Sequence, residues 1–210
     1  MKYSFGLLVL FCLVSCGDRP SQANVKQIIL TKDSNLIKND PVNPYVPVDV
    51  SPMDMSYLPA DYPILKMTGK TTREPVARVV YSRPHRQGRK IFGNLLKYGE
   101  PWRLGANEAT EIEVFQPLTI QHKIVPKGRY ILYCIPQADH WTIIFNSNLY
   151  SWGLKADPKK DLYKFNVPVK VKDMSVEYFS MEFENTASGA DLVMAWDDTE
   201  ARLPVQFNEK

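Results

Sequence analysis

Four arginines, two large aromatic residues, two amides and a carboxylate stand in two short runs of this chain. The first run is YSRPHRQGR, Tyr81 to Arg89, and the second is WRLGANEAT, Trp102 to Thr110. Arginine presents a planar fork of N–H donors that grips a carboxylate or phosphate with two parallel bonds. If the fold brings two of Arg83, Arg89 and Arg103 together, one anion can be held between them. Trp102 and Tyr98 would then supply apolar walls, or a surface on which a sugar ring stacks. Asn107 adds a directional amide and Glu108 an acceptor. In an extended strand Tyr81, Arg83 and His85 point to one face and Ser82 to the other. Pro84 holds Arg83 in the extended region.

The same residues support other roles. An envelope enzyme, hydrolase-like, would use Glu108 with Tyr81 or Arg103. In a purely structural reading, Gly105 permits an unusual backbone angle and Asn107 bonds to its own turn. Glu108 then pairs with Arg83 or Arg103, and Arg83 is the partner the sequence favours. The leading expectation is a binding or structural module. It would hold a small anionic or glycan-like ligand, or a partner protein, at Tyr81, Arg83, Arg89, Trp102, Arg103, Asn107 and Glu108.

Other chemistry has little support. His85, His122 and His140 lack ligand spacing, so no metal site is expected. There is no P-loop, GxGxxG or GxSxG motif, and no cofactor is implied. A net charge of +3 does not suggest a nucleic-acid partner. The distribution of charge says more. Arg78 to Arg103 holds seven Lys or Arg and one acid, whereas Asp173 to Glu200 holds eight acids and no Lys or Arg. The two segments are expected to neutralise each other in part.

The elements that must position these residues read as strands. From Pro75 onward short runs alternate apolar and polar residues: VARVVYS, TEIEVF, LTIQHKIV, RYILYCI, HWTIIFN, LYKFNVPVKV, VEYFSMEFE, ADLVMAW and ARLPVQF. Period-2 patterning repeated in this way predicts an all-β fold, an antiparallel sandwich whose strand order stays open between jelly-roll and immunoglobulin-like. IFGNLLKYGE is the best short helix candidate, and Asp197–Asp198 reads as a hairpin turn. MDMSYLPADYPILKMTG, Met53 to Gly69, is apolar enough to pack on the domain and cover a sheet edge.

The N-terminus gives an address. Lys2 precedes an apolar run, Phe5 to Val14, that is too short to span a bilayer and fits a secretory leader. Leu13-Val14-Ser15-Cys16 has the form of a bacterial lipobox. Residues 1–15 are therefore expected to be a lipoprotein signal peptide, with Cys16 lipidated. Residues 16–52 would be a proline-rich tether, and 53–210 a single domain. The expected location is the cell envelope, on the outer membrane, with the lipid as the membrane contact. Cys134 is then the one cysteine left in the domain and is expected to be a buried apolar residue.

With the strands placed, YSRP, GRKIFG, YGEPWRLGANEATEIE, GRYILYCIP, WTIIFN and WG occur in an order that resembles a bacterial family of exported proteins common in Bacteroidota. It is the domain-of-unknown-function family numbered twenty-nine-eleven. The resemblance runs from about Met53 to Phe207. It implies no established activity. His85 and Gln87 depart from the family pattern, and Leu104 stands where the family commonly has threonine.

Overall fold

The computed structural model describes residues 49–207. The expected leader, Cys16 and the expected tether up to residue 48 lie outside them. Asp49–Lys210 forms one compact unit. It contains its own apolar core, as an independently folding domain does.

Among the described residues nine strands and one α-helix follow in order: β1 (Met53–Leu58), α1 (Tyr62–Met67), β2 (Ala77–Ser82), β3 (Thr110–Val114), β4 (Leu118–Ile120), β5 (Lys123–Val125), β6 (Gly128–Pro136), β7 (His140–Asn146), β8 (Asp161–Thr186) and β9 (Gly189–Val205). Seven strands form one antiparallel sheet in the order β1-β2-β3-β6-β7-β8-β9, and β4–β5 is a separate hairpin. At its tip Gln121 and His122 both have positive φ, 45° and 64°. That twist suits a two-residue hairpin turn.

The all-β antiparallel expectation holds, but the sandwich does not form. A single sheet curls almost into a barrel. The cause is the length of the last two strands. Residues that read as separate short strands join into β8, 26 residues, and β9, 17 residues. Their register shifts between Val171 and Val176 and again between Val176 and Ser180. Such irregularities let a strand bend sharply. The first half of β8 pairs with β7, and the second half swings back to the start of the sheet.

The basic run after β2 completes this closure. The Phe179 N–H donates to the Pro84 carbonyl at 3.0 Å, and the Arg86 N–H donates to the Glu177 carbonyl at 2.8 Å. Further along, the Phe183 N–H donates to Ser56 Oγ at 3.1 Å. A sheet whose ends meet encloses its core without a second layer.

The core is rich in aromatic residues. Trp102 packs on Trp141 (5.8 Å), Phe179 (4.9 Å), Trp196 (5.8 Å) and Phe92 (5.9 Å). Each such pair contributes about 0.5–1.5 kcal/mol beyond its buried area. Two further expectations are corrected. IFGNLLKYGE forms turns, and the described helix is α1. Asp197 and Asp198 lie inside β9, with Asp197 at φ 55°. Met53 to Gly69 does join the domain, with β1 as the edge strand and α1 after it.

Candidate functional site

The structure divides the predicted cluster between two depressions. Tyr81 and Arg83 lie in the first, beside β1 and β8, with Asp54, Ser180 and Met181. Asp54 faces Tyr81 across the β1–β2 ladder. Arg83 Nη1 donates to Asp54 Oδ2 at 3.1 Å, and Nη2 donates to Ser180 Oγ at 3.2 Å. Its backbone N–H donates to the Pro52 carbonyl at 2.9 Å, and the guanidinium carbon lies 5.9 Å from the Tyr178 ring centre. Of its side-chain nitrogens, Nε lacks a partner. The Tyr81 hydroxyl donates to Asp54 at 3.3 Å. Burial, with lesser help from the Asp54 charge, raises the Tyr81 pKa to about 12. A phenol so reluctant to ionise is poorly suited to proton transfer at neutral pH.

Arg83 therefore binds Asp54, and the expected pairing with Glu108 does not form. Glu108 is exposed. Among the described residues it makes no hydrogen bond or ion pair. Its charge acts on Arg103. The hydrolase-like set of Glu108 with Tyr81 is likewise not assembled, because Tyr81 points into the Asp54 depression.

Arg89 and Asn107 are also tied to the fold. Arg89 Nε donates to the Arg86 carbonyl at 2.8 Å, and Nη2 donates to the His85 carbonyl, so it braces its own loop. Asn107 was expected to bond within its own turn. Instead Nδ2 reaches Asp49 Oδ2 at 2.8 Å and the Ser51 carbonyl at 3.2 Å, pinning the chain where it enters the domain.

The second depression is a cleft of about 510 Å³. Pro84, Leu95, Leu96, Pro101, Trp102, Leu154 and Trp196 form its apolar walls. His85, Gln87, Arg89 and Arg103 supply the polar side chains, together with Ser51, and among the described residues no Asp or Glu lines it. Trp102 is more core than wall. It is only 6% exposed, and its indole N–H donates to the Gly105 carbonyl at 3.2 Å.

Backbone pairing fixes Arg103 in this cleft. Trp102 and Cys134 exchange two backbone hydrogen bonds at 2.8 Å, so this segment runs as an extra strand beside β6. The chain then turns sharply at Leu104 (φ 53°) and Gly105 (φ 155°). A Cβ on Gly105 would stand 2.9 Å from the Ser82 carbonyl, which explains the glycine there. Thr110 Oγ1 locks the turn by donating to the Leu104 carbonyl at 2.6 Å. Arg103 is left half-buried with no hydrogen bond or ion pair to any described residue, and its Nη1 is fully enclosed. Burial lowers its pKa, and the Glu108 charge offsets this in part.

The Arg103 segment belongs to a stretch that relates this chain to others. The model of the family described as Protein of unknown function (DUF2911) matches residues 65–205. The chain belongs to this family. No curated protein and no solved structure matches it. The family match spans both depressions from Leu65 onward but leaves out β1 and Asp54, the partner of Arg83.

The expected neutralisation of basic by acidic segments is found in part. Arg86 Nη1 lies 2.7 Å from Asp197, and His85 Nε2 lies 2.8 Å from Glu177. Asp197 also accepts from Ser175 and from the Ile91 N–H. Burial raises its pKa, but these hydrogen bonds and Arg86 outweigh that and leave it below the usual carboxylate value. Cys134 is buried as expected, and burial pushes its thiol pKa up. Sequence reasoning missed Asp54, and it missed the cleft residues Trp196 and Leu154. Their positions depend on cross-strand register and on the path of one loop, which no local pattern announces.

Proposed function

We propose that this protein is a binding module of the cell envelope, lipid-anchored through Cys16 and carrying its ligand in the Arg103 cleft. The observation that carries the reading is Arg103 itself. A partly buried guanidinium without a partner is costly unless an anion completes it. Among the described residues the cleft lining has arginine, histidine and glutamine but no carboxylate, so its polarity favours an anion. Its size lies within the range of small-molecule sites, about 300–1,000 Å³. Trp102, Trp196 and the leucines suit an apolar or ring-shaped body. The ligand class is therefore a small carboxylate or phosphate ester attached to such a body, which includes acidic sugars.

The test is a thermal-shift screen on the unit Asp49–Lys210 with aryl carboxylates, uronic acids and sugar phosphates. Binding should raise the melting midpoint of the wild-type unit and leave that of Arg103→Met unmoved. Equal shifts in both proteins, or no shift with any compound, would refute the reading. The anchor has a separate test. Cys16→Ser should abolish incorporation of labelled fatty acid.

A further inference from the structure

The loop between β7 and β8 presents large apolar side chains to solvent on a fixed frame. Its base is closed by the Ser147 N–H donating to the Lys160 carbonyl at 2.9 Å. Asn146 Nδ2 donates to the Asp157 carbonyl at 2.9 Å, and Lys160 Nζ donates to Asn148 Oδ1 at 2.7 Å. Ends held together in this way define a compact loop of the kind that often carries function. Gly153, at φ 78°, presses the loop onto the domain, where an added Cβ would stand 3.0 Å from Ala109 Cβ.

Three alternate residues of the tip nevertheless point outward. Tyr150 is 83% exposed, Trp152 56% and Leu154 73%. Single exposed apolar residues are ordinary, but three in five positions form a patch that marks an interaction surface. Lys155, Lys159 and Lys160 are exposed beside it. The acids of this segment are drawn inward. Asp157 accepts from the Lys159 N–H, and Asp161 accepts from Tyr133 and Asn146 and faces Lys164. Arg129, which touches Tyr150, is already paired with Glu111. The loop thus shows solvent an aromatic-aliphatic tip flanked by free positive charge.

We infer that this loop is a peripheral membrane contact that inserts Tyr150, Trp152 and Leu154 into the interface of an anionic lipid surface. Tyrosine and tryptophan settle at the headgroup level because their rings are amphipathic. Lysines near an anionic leaflet add attraction that salt weakens. Lysine is depleted in protein–protein interfaces, which sets lipid apart from a protein partner. A protruding tip also needs no complementary groove. The inference rests on Tyr150, Trp152 and the lysines of the loop and not on Arg103, although Leu154 also borders the cleft.

The experiment is co-sedimentation of the unit Asp49–Lys210 with vesicles of phosphatidylcholine alone or mixed with phosphatidylglycerol. Binding to the mixed vesicles should exceed binding to neutral ones and shift tryptophan fluorescence to the blue. The double variant Tyr150→Ser/Trp152→Ser should lower the partition coefficient about tenfold or more. Lys155→Glu/Lys159→Glu should remove the preference for anionic vesicles. All four positions are exposed, so melting curves of the variants should match the wild type and separate lost binding from lost fold. Absence of binding by the wild type overturns the inference, as does binding that survives both double variants. Self-association without lipid, abolished by Tyr150→Ser/Trp152→Ser, overturns it in favour of a protein interface.

Discussion

Arg83 and Arg103 are both motif arginines beside aromatic rings, and the fold treats them in opposite ways. Arg83 stands where β2 leaves the sheet, and its terminal nitrogens find Asp54 and Ser180. Arg103 stands on a segment held by Cys134 and finds no partner among the described residues. The difference shows that a charged residue in a family motif does not reveal its role by type alone. The residue whose donors are occupied maintains the barrel seam. The residue whose donors are free is available to a ligand.

Five substitutions break or sharpen this contrast, from the largest expected effect to the smallest. Trp102→Ala removes the ring shared by the core and the cleft floor and should cost about 3–5 kcal/mol. At roughly 2–4 °C per kcal/mol for a domain of this size, the melting midpoint should fall by about 6–20 °C. Loss of binding in that variant would reflect loss of the fold.

Asp197→Ala cuts the anchor that ties Arg86 and the Ile91 N–H to β9, at a cost of about 3 kcal/mol. The pH dependence follows from its depressed pKa. The stabilisation it gives is present above the unfolded value near 3.8 and is lost as pH falls through the lower folded value. Acid unfolding monitored by circular dichroism below about pH 4 should therefore be less steep in Asp197→Ala than in wild type.

Arg83→Ala should cost about 1 kcal/mol, because its ion pair with Asp54 is more than one-third exposed and screened by solvent. Asp54→Ala should cost a similar amount, and a double-mutant cycle should show coupling between the two. An additive cycle would mean that the β1 seam does not depend on this pair.

Arg103→Met keeps the aliphatic stem and removes the unpaired charge. Its midpoint should stay within about 0.5 kcal/mol of wild type or rise. A loss as large as that of Arg83→Ala would erase the distinction between the two arginines.

Much of the fold was legible because burial imposes alternation. Ile112 and Val114 face inward and Glu111 and Glu113 outward, as their spacing required. The closed shape was not legible. It depends on the irregular register between Val171 and Ser180, where Lys172 to Ser175 read as a break between strands but belong to the bend within one. At the site, the sequence located the right residues and misplaced their partners. Tyr81 and Arg83 share a face as strand geometry required, yet their acid comes from Asp54, 29 positions before Arg83. That pairing follows from the β1–β2 register, which depends on the packing of the whole sheet. His85 and Gln87, which adjoin Arg83 in the sequence, line the cleft and not the Arg83 depression.

The most direct test of the Arg103 cleft is a nuclear magnetic resonance titration of the unit Asp49–Lys210 with a panel of aryl carboxylates, uronic acids and sugar phosphates. The observed signals are the indole N–H groups of Trp102 and Trp196 and the side-chain N–H groups of Arg83 and Arg103. The account predicts that a bound compound moves the Trp102, Trp196 and Arg103 signals and leaves Arg83 in place. Movement confined to Arg83 and the β1–β8 seam, or no movement with any compound, would contradict it.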